Sequence, residues 1–176
     1  MKIYIISDTH FGHDKMLELC GRPKGFEQLI LSNLKDLRGD VLIHLGDFCI
    51  GGDAAWHYTF LLETDLFERR ILVRGNHDHK SDSWYLNMGW DFVCDEFSAK
   101  YFGKRILFTH KPSHISFDYD LNIHGHLHNT RHHEEGKCGN HLLFSLEEQN
   151  YKAINLEKFI SPTNKNTPLQ PKLKGV

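Results

Sequence analysis

The chain has 176 residues, of which 40% are hydrophobic and 25% are charged, and its formal net charge is −2. These values are typical of one folded domain. The net charge gives no basic surface of the kind that long nucleic acid requires, and the sequence has no run of about 20 apolar residues for a membrane span. Fourteen histidines are many for this length, which indicates metal or proton chemistry. The alternative is that they are surface residues without such a role.

The cysteines predict a reduced, cytoplasmic protein. Cys20, Cys49, Cys94 and Cys138 form no Cys-x-x-Cys pair, and their spacings match no zinc ribbon. Such thiols are typical of a reducing compartment. The N-terminus leads straight into an apolar run at residues 3–6 without the features of a signal peptide, so we expect the cytoplasm as the location.

The first half of the chain alternates between strand and helix patterns. Apolar runs at residues 3–6, 41–45 and 70–73 are long enough for buried strands and too short for helices. Between them, residues 26–37 have the apolar spacing of an amphipathic helix, and a second helical segment follows at residues 54–63. This alternation predicts a parallel sheet with helical crossovers.

The second half is predicted to contain one short helix and then mainly strands. A Gly-Lys pair at residues 103–104 is a hairpin turn signal between two of these strands. The last two strands, at residues 142–145 and 151–154, are predicted to form a second hairpin. The other elements are a helix at residues 81–88 and strands at residues 91–94, 96–102, 105–109 and 121–123.

The composition changes near residue 161. Residues 161–176 contain three prolines, three lysines and two asparagines, with few large apolar side chains. Such a segment buries too little apolar surface to form a core of its own. We therefore expect a domain at residues 1–160 and a poorly ordered or surface-hugging tail at residues 161–176.

Side chains that can bind a metal ion or move a proton follow five of the predicted strands. Each of them alone is equally typical of a turn or a helix cap. Because the carboxyl ends of parallel strands meet at one edge of a sheet, we expect these side chains to form a common site. They are Asp8 and His10, Asp47, Asn76 and His77, His110, and His126 and His128.

The donor atoms of this set indicate the kind of metal. Carboxylates, imidazoles and one amide oxygen, without sulfur, favour Mn, Fe, Zn, Ni or Co, with Mg as a further option, over a thiolate zinc site. Seven ligands exceed one ordinary site. They suit two divalent ions that share a bridging carboxylate and clamp a phosphate.

Five motifs carry these residues, in the order Asp8-Thr9-His10, Gly46-Asp47, Gly75-Asn76-His77-Asp78, His110 and Gly125-His126-Leu127-His128. In order and spacing they resemble the motif set of the calcineurin-like metallophosphoesterases, over most of residues 1–130. The opening segment at residues 7–13, Arg22 with Pro23, and the helix with Asn33 are similar to small bacterial and phage members with no assigned substrate. The resemblance implies an α/β fold, a two-sheet β-sandwich flanked by helices in four layers.

The resemblance also implies a role for each residue of the site. His77 would lie beside the phosphate and stabilise the transition state or protonate the leaving oxygen, and Asp78 would orient His77 through a hydrogen bond. A hydroxide between the ions would be the nucleophile. The ligands would be Asp8, His10 and His128 for the first ion, Asn76, His110 and His126 for the second, and Asp47 for both.

The function expected from this resemblance is metal-dependent hydrolysis of a phosphodiester or a phosphomonoester. We expect a small phosphate-ester substrate, with nucleotides among the candidates. A nuclease acting on short or single-stranded nucleic acid is an alternative, although the net charge gives it no support. A catalytically inactive interaction scaffold of the same fold is the other alternative, and the oligomeric state stays open.

Other charged residues are candidates for contacts with the phosphate. Arg22, Lys111 and Arg131 have the positive charge for that task, with an exposed loop position as the commoner alternative. His13 is near enough in sequence to the first motif to reach a substrate, although a solvated loop position is the simpler interpretation.

Overall fold

Four apolar segments form parallel strands in the computed structural model, which describes residues 1–113, 118–129 and 139–161. They are β1 (Ile3–Ile6), β2 (Gly39–His44), β3 (Phe67–Val73) and β4 (Phe92–Cys94). Their order across the sheet is β4-β3-β2-β1. The first three confirm the predicted strands, and the last residue of each of these three is buried.

A second sheet follows with the strand order β5-β6-β7-β8, in which β5 (Glu96–Tyr101) precedes β6 (Lys104–Thr109). These two strands pair antiparallel through the predicted turn at Gly103. The next two, β7 (Leu121–His124) and β8 (His141–Leu143), continue the sheet with parallel pairing.

The predicted hairpin at residues 142–145 and 151–154 is wrong. β8 pairs with β7 in the second sheet, whereas β9 (Ile154–Asn155) pairs antiparallel with β1 at the edge of the first. Asn150 and Tyr151 have positive φ values of 52° and 60°, so the chain turns out of the β conformation between the two strands. This turn carries the chain from one sheet to the other.

In the described part of the chain, five helices flank the sheets, and the three predicted ones are present. α2 buries Phe26, Ile30 and Leu34, which are four residues apart and therefore lie on one face. α4 begins at the cap residue Ser81, whose hydroxyl accepts a hydrogen bond from the backbone N–H of Trp84. The helices are α1 (Met16–Leu19), α2 (Phe26–Leu34), α3 (Asp53–Glu63), α4 (Asp82–Met88) and α5 (Leu156–Ile160).

The two mixed sheets and their flanking helices form the α/β sandwich that was predicted. Within the described ranges, no helix is both long enough and apolar enough to cross a bilayer. The predicted tail lies outside the described residues from residue 162 onward, as do Arg131 and Cys138. The domain boundary near residue 160 therefore stays a prediction.

Candidate metal centre

The ends of both sheets meet at the predicted site. In the first sheet, β1, β2 and β3 run in parallel, so the loops that follow them leave from the same edge. In the second sheet, β6 and β7 also run in parallel and end beside these loops. The structure brings together all seven predicted ligands, which are Asp8, His10, Asp47, Asn76, His110, His126 and His128.

Asp8, His10 and His128 form the first cluster, in which one donor atom from each residue lies within 4.8 Å of the others. Oδ1 of Asp8 is 4.0 Å from Nε2 of His10 and 3.6 Å from Nε2 of His128. These separations exceed a hydrogen bond. They are close to the distance between two atoms that each lie about 2.1 Å from one ion.

The second cluster is centred on Nε2 of His110. This atom is 3.1 Å from Nδ1 of His126, 3.2 Å from Oδ1 of Asn76 and 3.3 Å from Oδ2 of Asp47. The same Asp47 oxygen is 3.6 Å from Nε2 of His10. Asp47 therefore lies between the two clusters, where a shared ligand is expected.

Each of the two carboxylates is fixed by one oxygen and directs the other into the centre. Oδ2 of Asp8 accepts hydrogen bonds from the Ser7 hydroxyl and the His126 backbone N–H, whereas Oδ1 is buried without a hydrogen-bond partner. Oδ1 of Asp47 accepts from the His77 backbone N–H, and its Oδ2 faces the imidazoles. A buried carboxylate oxygen that faces the centre without a hydrogen-bond donor fits a bound cation.

The imidazoles also present lone pairs to the centre. Nδ1 of His110 lies 2.8 Å from the Leu45 carbonyl oxygen. Because a carbonyl oxygen can only accept, Nδ1 is the donor of this hydrogen bond, and Nε2 of the same ring faces the cluster. Both ring nitrogens of His10 are buried without a hydrogen-bond partner. Oxygen and nitrogen atoms that can bind a metal converge here from several residues, so the residues fit a divalent ion in each cluster.

The histidines of the site differ in the direction in which their surroundings shift their pKa values. Burial lowers the pKa of His10 to about 2 and that of His126 to about 4. Burial would also lower the pKa of His128, but the Asp8 charge and hydrogen bonds raise it to about 10. Burial would raise the pKa of Asp47, but the hydrogen bond and charge of His110 hold it well below its usual value. Asp47 thus stays ionised in a buried cluster.

The backbone at the ligands is in an uncommon conformation. Of the eight non-glycine residues with positive φ in the described part of the chain, five are candidate ligands. Such conformations are unfavourable for residues with a side chain, and they concentrate at functional sites. The five residues are Asp8, His10, Asp47, His126 and His128, with φ between 47° and 72°.

Two glycines allow these loops to approach one another. A Cβ atom on Gly75 would meet the backbone nitrogen and the carboxylate of Asp47. A Cβ atom on Gly125 would meet the Ser7 hydroxyl and the Asp8 carboxylate. Only glycine permits this distance between the strand ends, which explains its place in the motifs that precede Asn76 and His126.

The predicted hydrogen bond from Asp78 to the His77 ring is not found. The Asp78 carboxylate instead accepts backbone N–H groups of Asp47 at 2.8 Å, Phe48 at 3.1 Å and Gly75 at 2.7 Å. Three donors use both oxygens, so the side chain is directed to the loops that follow β2 and β3. Asp78 joins these two loops and does not orient His77.

His77 lies at the mouth of the centre. Its side chain is 40% exposed, and Nε2 is 4.0 Å from Oδ2 of Asp47. Its ring centroid is 5.4 Å from that of His10 and 6.4 Å from that of His13. An imidazole at this position can donate a proton to a group bound in the centre.

Three residues near the centre were misassigned or missed. Arg22, a candidate phosphate contact, has a fully buried side chain and forms a 2.7 Å ion pair with Glu147. Glu147 has no sequence signal, because its partners Arg22 and His128 are far away along the chain. His44 is buried too, and its Nδ1 accepts the Gly46 backbone N–H, which supports the loop before Asp47.

A cleft of about 390 Å³ adjoins the second cluster, where Asn76 and His110 form part of its wall. Lys111 also lines it and is exposed, so its role as a phosphate contact stays a prediction. Arg74, another lining residue, is held by Asp82 and by Asp95. The cleft thus brings an exposed lysine close to the proposed metal ligands.

The chain matches known proteins over most of its length. A protein of unknown function from Aquifex aeolicus, known from a crystal structure, is 30% identical, with 89% of this chain and 96% of that chain covered and a TM-score of 0.70. An uncharacterised protein of Methanocaldococcus jannaschii is 28% identical over a 172-residue alignment, which covers 90% of this chain and 89% of that protein.

A third similarity concerns the fold alone. The nuclease MPE of Pseudomonas putida is 20% identical, with a TM-score of 0.51 over 72% of this chain and 61% of that chain. The family model for calcineurin-like phosphoesterases matches residues 1–165. With this match and the arrangement of its strand-end ligands, the chain belongs to the calcineurin-like phosphoesterase family.

Proposed function

We propose that this protein is a phosphoesterase that uses two divalent metal ions to hydrolyse a small phosphate ester. The observation that supports this proposal best is the position of Asp47 between two clusters of ligands. The first ion would be held by Asp8, His10 and His128 and the second by Asn76, His110 and His126, as expected from the sequence. Mn, Fe, Zn, Ni and Co are the ions that suit these donors, and Mg is a further option.

Two ions held here would supply Lewis acidity to a phosphoryl oxygen and lower the pKa of a water molecule between them. The protein supplies the remaining groups. His77 is placed to donate a proton to the leaving oxygen, since its exposed ring lies at the mouth of the centre. Asp78 keeps Asp47 and Gly75 in register through their backbone N–H groups.

The cleft supports a small organic ester as the substrate. Its volume of about 390 Å³ is at the lower end of the range for ligand sites, and it opens beside His110. The alcohol part of the ester would occupy the cleft, where Lys111 provides a positive charge for a further phosphate or carboxylate group. Nucleotides, including nucleotide diesters, belong to this class.

The test compares a diester with a monoester, bis-p-nitrophenyl phosphate and p-nitrophenyl phosphate. The full chain is stripped with chelator and refilled with Mn²⁺, Zn²⁺, Ni²⁺ or Mg²⁺. We expect turnover of at least one ester with at least one metal, and the Asp47→Asn variant to lose it. Asp36→Asn, which changes an exposed carboxylate remote from the site in sequence, is the matched control and should keep full activity.

The outcomes separate the alternatives. Diester turnover would favour a phosphodiesterase and monoester turnover a phosphatase, and cleavage of short single-stranded DNA would favour the nuclease. A protein that binds two ions but cleaves no ester would indicate that its natural substrate has another shape. A protein that binds no metal would contradict the proposal and support the interaction scaffold.

A further inference from the structure

Arg22 is a buried arginine whose donors are directed to the loop that carries the first metal ligands. Its side chain is fully buried, Nη1 donates to the Thr9 carbonyl oxygen at 2.8 Å, and Nη2 donates to that of Asp8 at 2.7 Å. The loop between Asp8 and His10 is therefore held by a charged side chain from a different part of the chain.

Glu147 links this arginine to a metal ligand of the other sheet. Its Oε1 accepts hydrogen bonds from Nε and Nη2 of Arg22, at 2.9 and 2.7 Å, and from Nδ1 of His128 at 3.2 Å. Its Oε2 accepts from the Ser145 hydroxyl at 3.0 Å. Because an ionised carboxylate only accepts, Nδ1 of His128 carries the proton and Nε2 faces Asp8.

The segment that carries Glu147 is itself anchored. Nδ2 of Asn33 donates to the Tyr151 carbonyl oxygen at 2.9 Å, which ties the turn before β9 to α2. The Arg22 guanidinium lies 4.9 Å from the centre of the Phe26 ring at the start of the same helix. Glu147 is thus part of a support that contacts the loops after β1 and β7 and is joined to α2 through Tyr151 and Arg22.

A metal ion at Glu147 itself is not supported. Cys20, His128 and Glu147 do offer donor atoms within 4.8 Å of one another. The Arg22 guanidinium, however, already neutralises Glu147 at 2.7 Å and would repel a cation at that place. The carboxylate acts on the metal centre through His128.

We infer that Glu147 and Arg22 form a buried ion pair that positions the first metal subsite, Asp8, His10 and His128, and leaves the second subsite unaffected. Glu147 is then a positioning residue, because it touches no ion and no substrate. This inference rests on the proposed two-ion site. Carboxylates that hold a ligating histidine raise metal affinity by orienting the ring and increasing its basicity.

The test measures Mn²⁺ binding to the full chain after chelator treatment, by isothermal titration. For Glu147→Gln we expect one of the two ions to bind about 10–100-fold more weakly, with the other unchanged. Glu148→Gln, a neighbouring change of the same chemistry at an exposed position, is the matched control and should bind both ions like the wild type. His10→Ala and His126→Ala identify the subsites.

The ion weakened in Glu147→Gln should be the one that His10→Ala weakens. If Glu147→Gln does not fold, the double variant Arg22→Gln/Glu147→Gln removes both buried charges and should show the same selective loss. Three results for Glu147→Gln would overturn this inference and leave the proposed function standing. They are wild-type affinity for both ions, an equal loss of affinity for both, and a loss at the same ion that His126→Ala weakens. A wild-type protein that binds no Mn²⁺ would overturn the proposed function and this inference together.

Discussion

Asp78 joins two strand ends with one carboxylate, since its oxygens accept backbone N–H groups from Asp47, Phe48 and Gly75. Replacing it by asparagine removes the charge and turns an N–H₂ group toward at least one of these donors. We expect Asp78→Asn to lower the free energy of unfolding of the chelator-treated protein by about 1–3 kcal/mol, measured by urea titration.

The same variant distinguishes two roles for Asp78 in catalysis. If Asp78 acts through the loops and not through His77, Asp78→Asn lowers kcat/KM by the same factor in the wild type and in His77→Ala. The measurement is a double-mutant cycle on whichever ester proves to be turned over. An effect of Asp78→Asn that disappears in the His77→Ala background would restore the orienting role that the sequence suggested.

His57 is a buried histidine outside the metal centre, 1% exposed, with its ring stacked on Phe48 at 3.9 Å. Its Nδ1 accepts the indole N–H of Trp90 at 2.9 Å. Burial lowers the pKa of His57 from 6.5 to about 4, against a small opposing effect of Asp53. The unfolded chain therefore takes up this proton at a higher pH than the folded chain does.

The stability that neutral His57 contributes is complete above pH 6.5 and is lost as the pH falls toward 4. We expect a loss on the order of 3 kcal/mol from this residue over that interval. In His57→Gln, which keeps an acceptor for Trp90 but does not titrate, the loss should be absent. Urea unfolding followed by tryptophan fluorescence should therefore give a stability difference between wild type and variant that changes with pH, and a constant difference would contradict the assignment.

At the scale of the elements, the loop after β7 has no room for a side chain at Gly125. A Cβ atom there would meet Ser7 and Asp8. We expect Gly125→Ala to lower the free energy of unfolding by at least about 2 kcal/mol and to weaken Mn²⁺ binding, because Asp8 must move. Titration calorimetry and urea unfolding measure the two effects.

Gly103→Ala is the matched control for that change. Gly103 lies in the turn between β5 and β6 with open space around the position of a Cβ atom and a φ of 78°. Alanine there costs about 1–2 kcal/mol through backbone strain alone. Its Mn²⁺ affinity should equal that of the wild type, and a similar loss of affinity in both variants would show that the effect of Gly125→Ala is indirect.

The elements also show what the sequence could predict. β1, β2 and β3 were predictable because each is a short apolar run that ends in a polar motif, and the ligands followed from that pattern. The pairing of the last two strands was not predictable, because the polar stretch at residues 147–150 has the composition of a hairpin turn. In the structure, the positive φ values of Asn150 and Tyr151 direct the chain to β1. Periodicity does not record which distant strand is the partner.

The site itself was predicted to the extent that its residues lie directly after strands. Asp8, Asp47 and His110 have this position, and they converge as expected. The ion pair of Arg22 and Glu147 was not predicted, since the contact spans 125 residues and neither residue lies in a motif with the predicted metal ligands. The role of Asp78 was misassigned because adjacency to His77 in sequence says nothing about the direction of its side chain.

At the scale of the whole molecule, the centre joins two sheets that share no strand. Asp47 comes from the end of the first sheet, and His110 comes from the end of the second. Bound ions would therefore stabilise both sheets together. At a free Mn²⁺ concentration of about 100 times the dissociation constant, the gain for one site is about 2.7 kcal/mol.

Hydrogen exchange can measure this coupling. On addition of Mn²⁺ we expect slower amide exchange at the carboxyl ends of β1 and β2 and, to a similar extent, of β6 and β7. In Asp47→Asn, which removes the shared ligand, the joint slowing should be lost. Protection confined to one sheet in the wild type would mean that the ions do not connect the two.

The late position of β9 has a consequence for biosynthesis. The first sheet is complete only when Ile154–Asn155 pairs with β1, and the proposed centre also needs His126, His128 and, by our inference, the support from Glu147. A nascent chain that ends before residue 126 contains Asp8, His10, Asp47, Asn76 and His110 but lacks His126 and His128. We therefore expect the complete set of proposed ligands, and any preference among metals that it confers, only in the folded protein and not in the nascent chain.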